Sequence, residues 1–332
     1  HENSSNRLLA ISRLVTASTP LASTTAGSVR RLVLIRTAKL LVLAPFLAVF
    51  LAPILALFLV AASPAAADAL DVLAARAAAG DPTSQHALGR RYLTGDGVPV
   101  DLESAVHWLR RAAEQGHAAS QTELGHAYIS GKITPFPDYT TAAHWYEQAA
   151  AQGELRATFN LGRMADRGLG MAADPALAVE LYRVAAGAGH VKAQTNLGIL
   201  LYLGRGTEAD PAAAYGWFEE AASQGELIAL YNLGVMTEKG EATAADPARA
   251  ERYYRTAADG GSTDAQAALG RLLAKHGNLT DGLFWLEVAT LHAADDTARG
   301  HYAADRDKLR RRVPVEARTR IDEAARLWQP QS

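Results

Sequence analysis

The chain has 332 residues, 49% of them hydrophobic and 20% charged, with 33 Lys and Arg against 35 Asp and Glu. That near-balance leaves no basic footprint for nucleic acid, and the absence of cysteine excludes a disulfide framework, thiolate metal sites and a cysteine nucleophile together. Residues 1–68 hold six of the basic residues and two of the acidic ones, so the remainder carries a formal excess of six acids, which disfavours a polyanionic partner.

In chain order, residues 1–39 read as a disordered or basic leader region ending in Arg30, Arg31, Arg36 and Lys39. Leu40 to Ala62 is uncharged and apolar, and the exit Ser63-Pro64-Ala65-Ala66-Ala67-Asp68-Ala69 offers two Ala-x-Ala sites. Residues 40–69 therefore predict a signal peptide with its cleavage region. The run is long enough to span a bilayer, so an uncleaved anchor interrupted by Pro45 and Pro53 is the alternative. Either outcome places the body outside the cytoplasm, periplasmic or secreted in the first case and tethered to the inner membrane in the second. Contact with membrane is expected only through this segment. Residues 70–81 predict a lone helix that finishes at Gly80 and caps the body of the chain at its N-terminal end.

From residue 82 the chain repeats itself. Leu-Gly pairs end at Gly89, Gly125, Gly162, Gly198, Gly234 and Gly270, a period of 36 with one step of 37. Six residues after each of the first five stands another glycine, Gly95, Gly131, Gly168, Gly204 or Gly240, which predicts a left-handed helix end. Asp101, Asp138, Asp174, Asp210 and Asp246 come next, the last three before proline, which is an N-cap and first-turn signature. A large residue comes seven positions later, at Trp108, Trp145, Leu181, Trp217 or Tyr253, and then an Ala-Ala pair such as Ala221-Ala222. The small residues let helices approach closely, and the tryptophans are expected to fill the gap between them. Each unit is thus a hairpin of two antiparallel helices, A and B, and the body is all-α. The sixth unit is degenerate: Asn278 takes the cap, Trp285 keeps the large site and Ala293 replaces the closing glycine. Six repeats span 82–293, and residues 294–332 predict a charged helical hairpin, near Tyr302 to Arg312 and Val315 to Trp328, that closes the far end.

The pattern resembles the Sel1-like repeats, relatives of the tetratricopeptide repeats. The first unit carries it nearly complete in Leu88, Gly89, Tyr92, Gly95, Gly97, Val98, Asp101, Ala105, Trp108, Ala112, Ala113, Gly116 and His117. It weakens in the third unit, with Ala165 and Leu181 at aromatic positions, and in the sixth. The resemblance implies a right-handed superhelical solenoid of the adaptor type, common in bacterial envelope proteins, and no single activity.

Catalytic signatures are missing. The turns at Gly95-Asp96-Gly97, Gly168-Leu169-Gly170 and Gly204-Arg205-Gly206 neither continue to a third glycine nor come after a strand. There is no Gly-x-Ser-x-Gly elbow, no His-Glu-x-x-His pair and no Ser-x-x-Lys. His117 and His190 fall at the repeat's Gly-His turn, and His107 and His144 beside tryptophans on helix faces. The chain is read as a non-enzyme without metal or cofactor: a scaffold, adaptor or regulator that holds a protein partner, with a structural or polysaccharide-binding envelope protein as the alternative and, after it, an envelope hydrolase, for which the sequence shows no converging acidic pair. In solenoids of this kind the A helices line the concave side. There Asn160, Asn196 and Asn232 recur two positions before the repeat glycine, where an amide both donates to and accepts from an extended backbone. Phe159 and Tyr231 precede two of them and add aromatic area. Capped ends predict a monomer.

Overall fold

The computed structural model describes the backbone from residue 64 to 331, residue 132 excepted, and side chains from Ala69 onward. The apolar run Leu40 to Ala62 lies outside the described residues. Among these, every regular element is a helix, and Asp68–Ser332 groups into one compact unit. The first helix, α1 (Pro64–Ala78), begins six residues earlier than the capping helix read from sequence, so both Ala-x-Ala sites fall on its opening turns. Six A/B hairpins come after it: α2 (Pro82–Thr94) and α3 (Leu102–Glu114), α4 (Ala118–Ile129) and α5 (Tyr139–Ala150), α6 (Leu155–Arg167) and α7 (Pro175–Gly187), α8 (Val191–Leu203) and α9 (Pro211–Ser223), α10 (Leu227–Lys239) and α11 (Pro247–Asp259), α12 (Thr263–Lys275) and α13 (Leu279–His292). Each helix packs chiefly on the next in sequence, the contact pattern of a solenoid. Two closing helices, α14 (Asp296–Arg310) and α15 (Val315–Leu327), pack on α13, the first starting six residues before the expected Tyr302.

Local chemistry starts and stops these helices. Asp174 Oδ1 accepts from the Leu177 amide at 3.0 Å, Asp210 Oδ1 from Ala213 at 2.9 Å and Asp246 Oδ1 from Arg249 at 2.9 Å, each one residue ahead of a helix-opening proline. Asp101, Asp138 and Asn278 cap α3, α5 and α13 in the same way. Four A helices end on a left-handed glycine, as α8 does at Gly204 (φ 63°), and α4 ends at Ile129 with Ser130 as its cap, just before Gly131.

The core is built by one stripe on each B helix: a small residue, a large one four positions on, and alanine three later. It runs Ala105, Leu109, Ala112; Ala142, Tyr146, Ala149; Ala178, Tyr182, Ala185; Ala214, Phe218, Ala221; and Ala250, Tyr254, Ala257, all essentially inaccessible. The large member lies on the repeat glycine of the same hairpin. A Cβ on Gly198 would stand 2.7 Å from the Phe218 ring, and one on Gly125 would stand 2.5 Å from that of Tyr146. Gly89, Gly162, Gly234 and Gly270 receive Leu109, Tyr182, Tyr254 and Leu286 likewise.

This corrects the expectation for the tryptophans. Trp108, Trp145 and Trp217 are half-buried and do not fill the A/B gap; the residue after each one does. One position on a helix is a rotation of about 100°, which turns these indoles from the partner A helix toward the neighbouring repeat. Trp145 packs against a cluster of Leu109 and Ala113 of the preceding repeat and Leu124 of its own A helix, and Trp217 borders a pocket of about 500 Å3 between α7 and α9. Trp285, 5% exposed, is the exception, because Trp328 beyond α15 covers it with ring centroids 6.0 Å apart.

Glutamines form a second ladder. Gln85, Gln121, Gln194 and Gln266, all buried, donate from Nε2 to the carbonyls of Ala77, Ala113, Ala186 and Ala258, eight residues back on the preceding helix. In three repeats a glutamine near the end of helix B reaches back to the same amide: Gln115 to Gln85 at 2.6 Å, Gln152 to Gln121 at 2.8 Å and Gln224 to Gln194 at 2.9 Å. The shortened sixth hairpin supplies no such donor, and Gln266 Oε1 is buried without a partner among the described residues. Because Gln85 grips α1 as later glutamines grip helices B, α1 occupies the place of a helix B before the first repeat.

The closing helices are tied on by charge. The Arg310 guanidinium forks onto Asp322 at 2.7 and 2.6 Å and reaches Glu287 at 2.5 Å, while Tyr302 donates to Asp264 at 2.6 Å.

Candidate partner-binding face

The exposed sides of α2, α4, α6, α8 and α10 form a row of helices with pockets between them. One pocket of about 340 Å3 is lined by Leu93 of α2, Glu123 and His126 of α4 and Arg156 of α6. The next, of about 370 Å3, is lined by Phe159, Arg163 and Arg167 of α6, Lys192, Thr195 and Asn196 of α8, and Glu226 and Ile228 at the start of α10. Each therefore draws on three consecutive repeats, as a site for an extended ligand requires. The larger pocket beside Trp217 is a gap left by Ala186, Gly187, Gly189, Ala213 and Gly216, with few polar groups converging on it.

The three repeated asparagines lie in register, in unequal surroundings. Asn160 is buried, donating to the Arg156 carbonyl at 2.7 Å. Asn232 donates to the Ile228 carbonyl at 2.8 Å, so each spends one N–H on its own helix. Asn196 is half-exposed and lines the second pocket, beside the Tyr182 hydroxyl, whose pKa burial pushes up to about 12. Phe159, 8% exposed, floors that pocket, stacked on the His190 ring at 4.6 Å with the Arg163 guanidinium 5.9 Å above it. Tyr231 is half-buried against Tyr254, ring centroids 6.0 Å apart. The structure thus brings Phe159 and Asn196 into one pocket and leaves Asn160 and Tyr231 serving the packing. Sequence reasoning missed Arg163, Arg167 and Lys192. A register signal existed for Lys192 alone: Arg156 and Lys192 occupy equivalent positions 36 residues apart, with Ile228 next in the series.

Histidine has a structural task in the same region. His117 and His190 are N-caps of α4 and α8, their Nδ1 atoms accepting from Ser120 N at 3.3 Å and Ala193 N at 3.2 Å. Only neutral imidazole accepts a proton there, and partial burial is the main cause that lowers both pKa values below 6.5. The unfolded chain therefore binds more protons than the folded one as pH falls from about 6.5 toward the folded values, and stability falls with it. Thermal unfolding followed by circular dichroism should show Tm dropping first in this window. A second drop is expected below pH 4, where Asp101 and Asp138, whose cap hydrogen bonds lower their pKa values, take up protons. A double H117N/H190N variant, which keeps a cap acceptor, should make the first drop shallower and leave the second unchanged; His86 and His126, whose pKa values burial also lowers, carry the rest of the first drop.

The comparisons with known proteins agree with this architecture. The Sel1 repeat family model matches residues 82–117, 118–154, 155–190, 191–226 and 227–262, more than half of the chain. The chain belongs to the Sel1 repeat family. The matched units coincide with the first five hairpins, and the degenerate sixth lies beyond them. Among solved structures, the chain is similar to a protective antigen of uropathogenic Escherichia coli displaying an SLR fold, at 34% identity over 73% of this chain and 52% of that one, with a TM-score of 0.66. It is also similar to a Sel1 repeat protein from Oxalobacter formigenes, at 30% identity over 63% of this chain and 85% of that one, with a TM-score of 0.57. The chain thus spans about half the length of the Escherichia coli protein. Sel1 repeats generally mediate protein–protein interaction, on a fold that is not typically enzymatic.

Proposed function

We propose that this protein is a non-enzymatic scaffold, adaptor or regulator of the bacterial cell envelope that holds a protein partner along its A-helix face. The observation that carries the reading is the pocket shared by α6, α8 and α10, where apolar, amide and cationic groups from three repeats converge on space that no side chain of the array fills. An envelope address is supported by the basic residues ahead of the apolar run Leu40 to Ala62 and the alanine-rich exit behind it.

Affinity capture from envelope extract with the full chain as bait tests the reading. A discrete protein recovered in stoichiometric amount is expected, together with its loss when Asn196 and Lys192 are replaced by Ala and Glu. Retention of sugar polymer without protein would contradict it and favour a structural, polysaccharide-binding role.

A further inference from the structure

We infer that the pocket between α6, α8 and α10 recognises a carboxylate beside an apolar side chain, so that the partner presents an acidic, partly hydrophobic extended segment. The inference rests on the proposed scaffold function and adds the chemistry of what is held.

Charge is locally inverted at this pocket. The body carries a formal excess of six acids, yet this pocket gathers Arg163, Arg167 and Lys192 against the single carboxylate of Glu226. At other points along the array several cations are matched. Arg156 pairs with Glu123 at 3.9 Å, Arg205 with Asp166 at 2.6 Å, Lys239 with Glu241 at 3.7 Å and Lys275 with Glu238 at 3.4 Å. Among the described residues, no carboxylate lies within ion-pair distance of Arg163, Arg167 or Lys192. Three cations sharing one pocket with a single carboxylate leave a local excess of positive charge, and a ligand carboxylate offsets that excess while gaining charge-assisted hydrogen bonds.

Apolar groups decide what carries the carboxylate. Phe159 floors the pocket, and Ile228, 53% exposed, stands on its edge. A peptide side chain covers both, whereas a sugar polyanion would leave Ile228 in water. Asn196 supplies an amide for the backbone of such a segment. One net-positive pocket in an acidic body selects a local carboxylate and still repels a long polyanion.

Selection of a random twelve-residue peptide display library on the full chain tests this directly. Wild-type protein should enrich peptides with Asp or Glu next to an aromatic or branched aliphatic residue. Synthetic versions should bind at least ten-fold more tightly than their Asn and Gln isosteres, and more weakly as salt rises. K192Q/R167Q, which alters two exposed side chains, should lose that ten-fold preference with circular dichroism unchanged. Enrichment without acidic residues, a preference that survives K192Q/R167Q, or no enrichment would each overturn the inference. So would binding of polygalacturonate in place of any peptide. Capture of an envelope protein whose binding ignores K192Q/R167Q would sink the carboxylate assignment and leave the scaffold function standing; failure to capture any protein would sink both.

Discussion

Phe218→Ala should cost about 3–5 kcal/mol, whereas Trp217→Ala, one residue earlier and larger, should cost about 1–2 kcal/mol. Phe218 is 1% exposed and is the wall against which the Gly198 backbone rests. Removing it opens a cavity bounded by two helices whose separation is already set by a glycine, so the site has little room to collapse. Trp217 is half-buried at the junction with the preceding repeat, and water already reaches part of its ring. Urea unfolding of the two variants checks the order, which is the reverse of what side-chain size alone predicts. Equal losses would mean that the indole, too, supports the hairpin.

Gly206→Ala is the second large effect, about 3 kcal/mol or more, and it arises from the backbone. Gly206 has φ of 77°, and a Cβ there would run into the carbonyl of Pro175, the first residue of the preceding helix B. The second glycine of the Gly-x-Gly turn in the third and fourth repeats is therefore a contact between successive repeats as well as a bend. Gly170 stands against Tyr139 in the same way. In the fifth repeat Ala242 takes the equivalent place with φ of 66°. The loss for Gly206→Ala should fall mainly on cooperativity between repeats, seen as a broadened urea transition with a lower apparent m-value. A sharp transition with unchanged midpoint would contradict this.

These two cases mark where the sequence speaks and where it stops. A 36-residue glycine period, aspartate before proline and left-handed glycine ends are local signals, each with one physical meaning, so the hairpins and their boundaries could be read directly. Which of two adjacent large residues faces the glycine is a question of helical phase. The clue was present in the spacing of Ala214, Phe218 and Ala221, a four-then-three stripe, but tryptophan's size drew attention away from it. The glutamine ladder recurred in register with the Leu-Gly pairs, and polar residues inside a core are easily taken for surface. The cationic pocket was the hardest to see. Arg163, Arg167 and Lys192 meet only because α6 and α8 are laid side by side, and their lack of partners is a property of three dimensions. Asn196 was identified from register alone, and the structure gives it a pocket that Asn160 lacks.

The central claim is that the row of A helices holds the partner and the B side does not. Photo-cross-linking tests it most directly, with benzoylphenylalanine placed at Asn196 in the pocket and, separately, at Trp217 on the B side, in the full chain exposed to envelope extract. The account predicts one discrete cross-linked protein from position 196 and none from position 217. Cross-linking from 217 alone would contradict it and move the binding surface to the other side of the array.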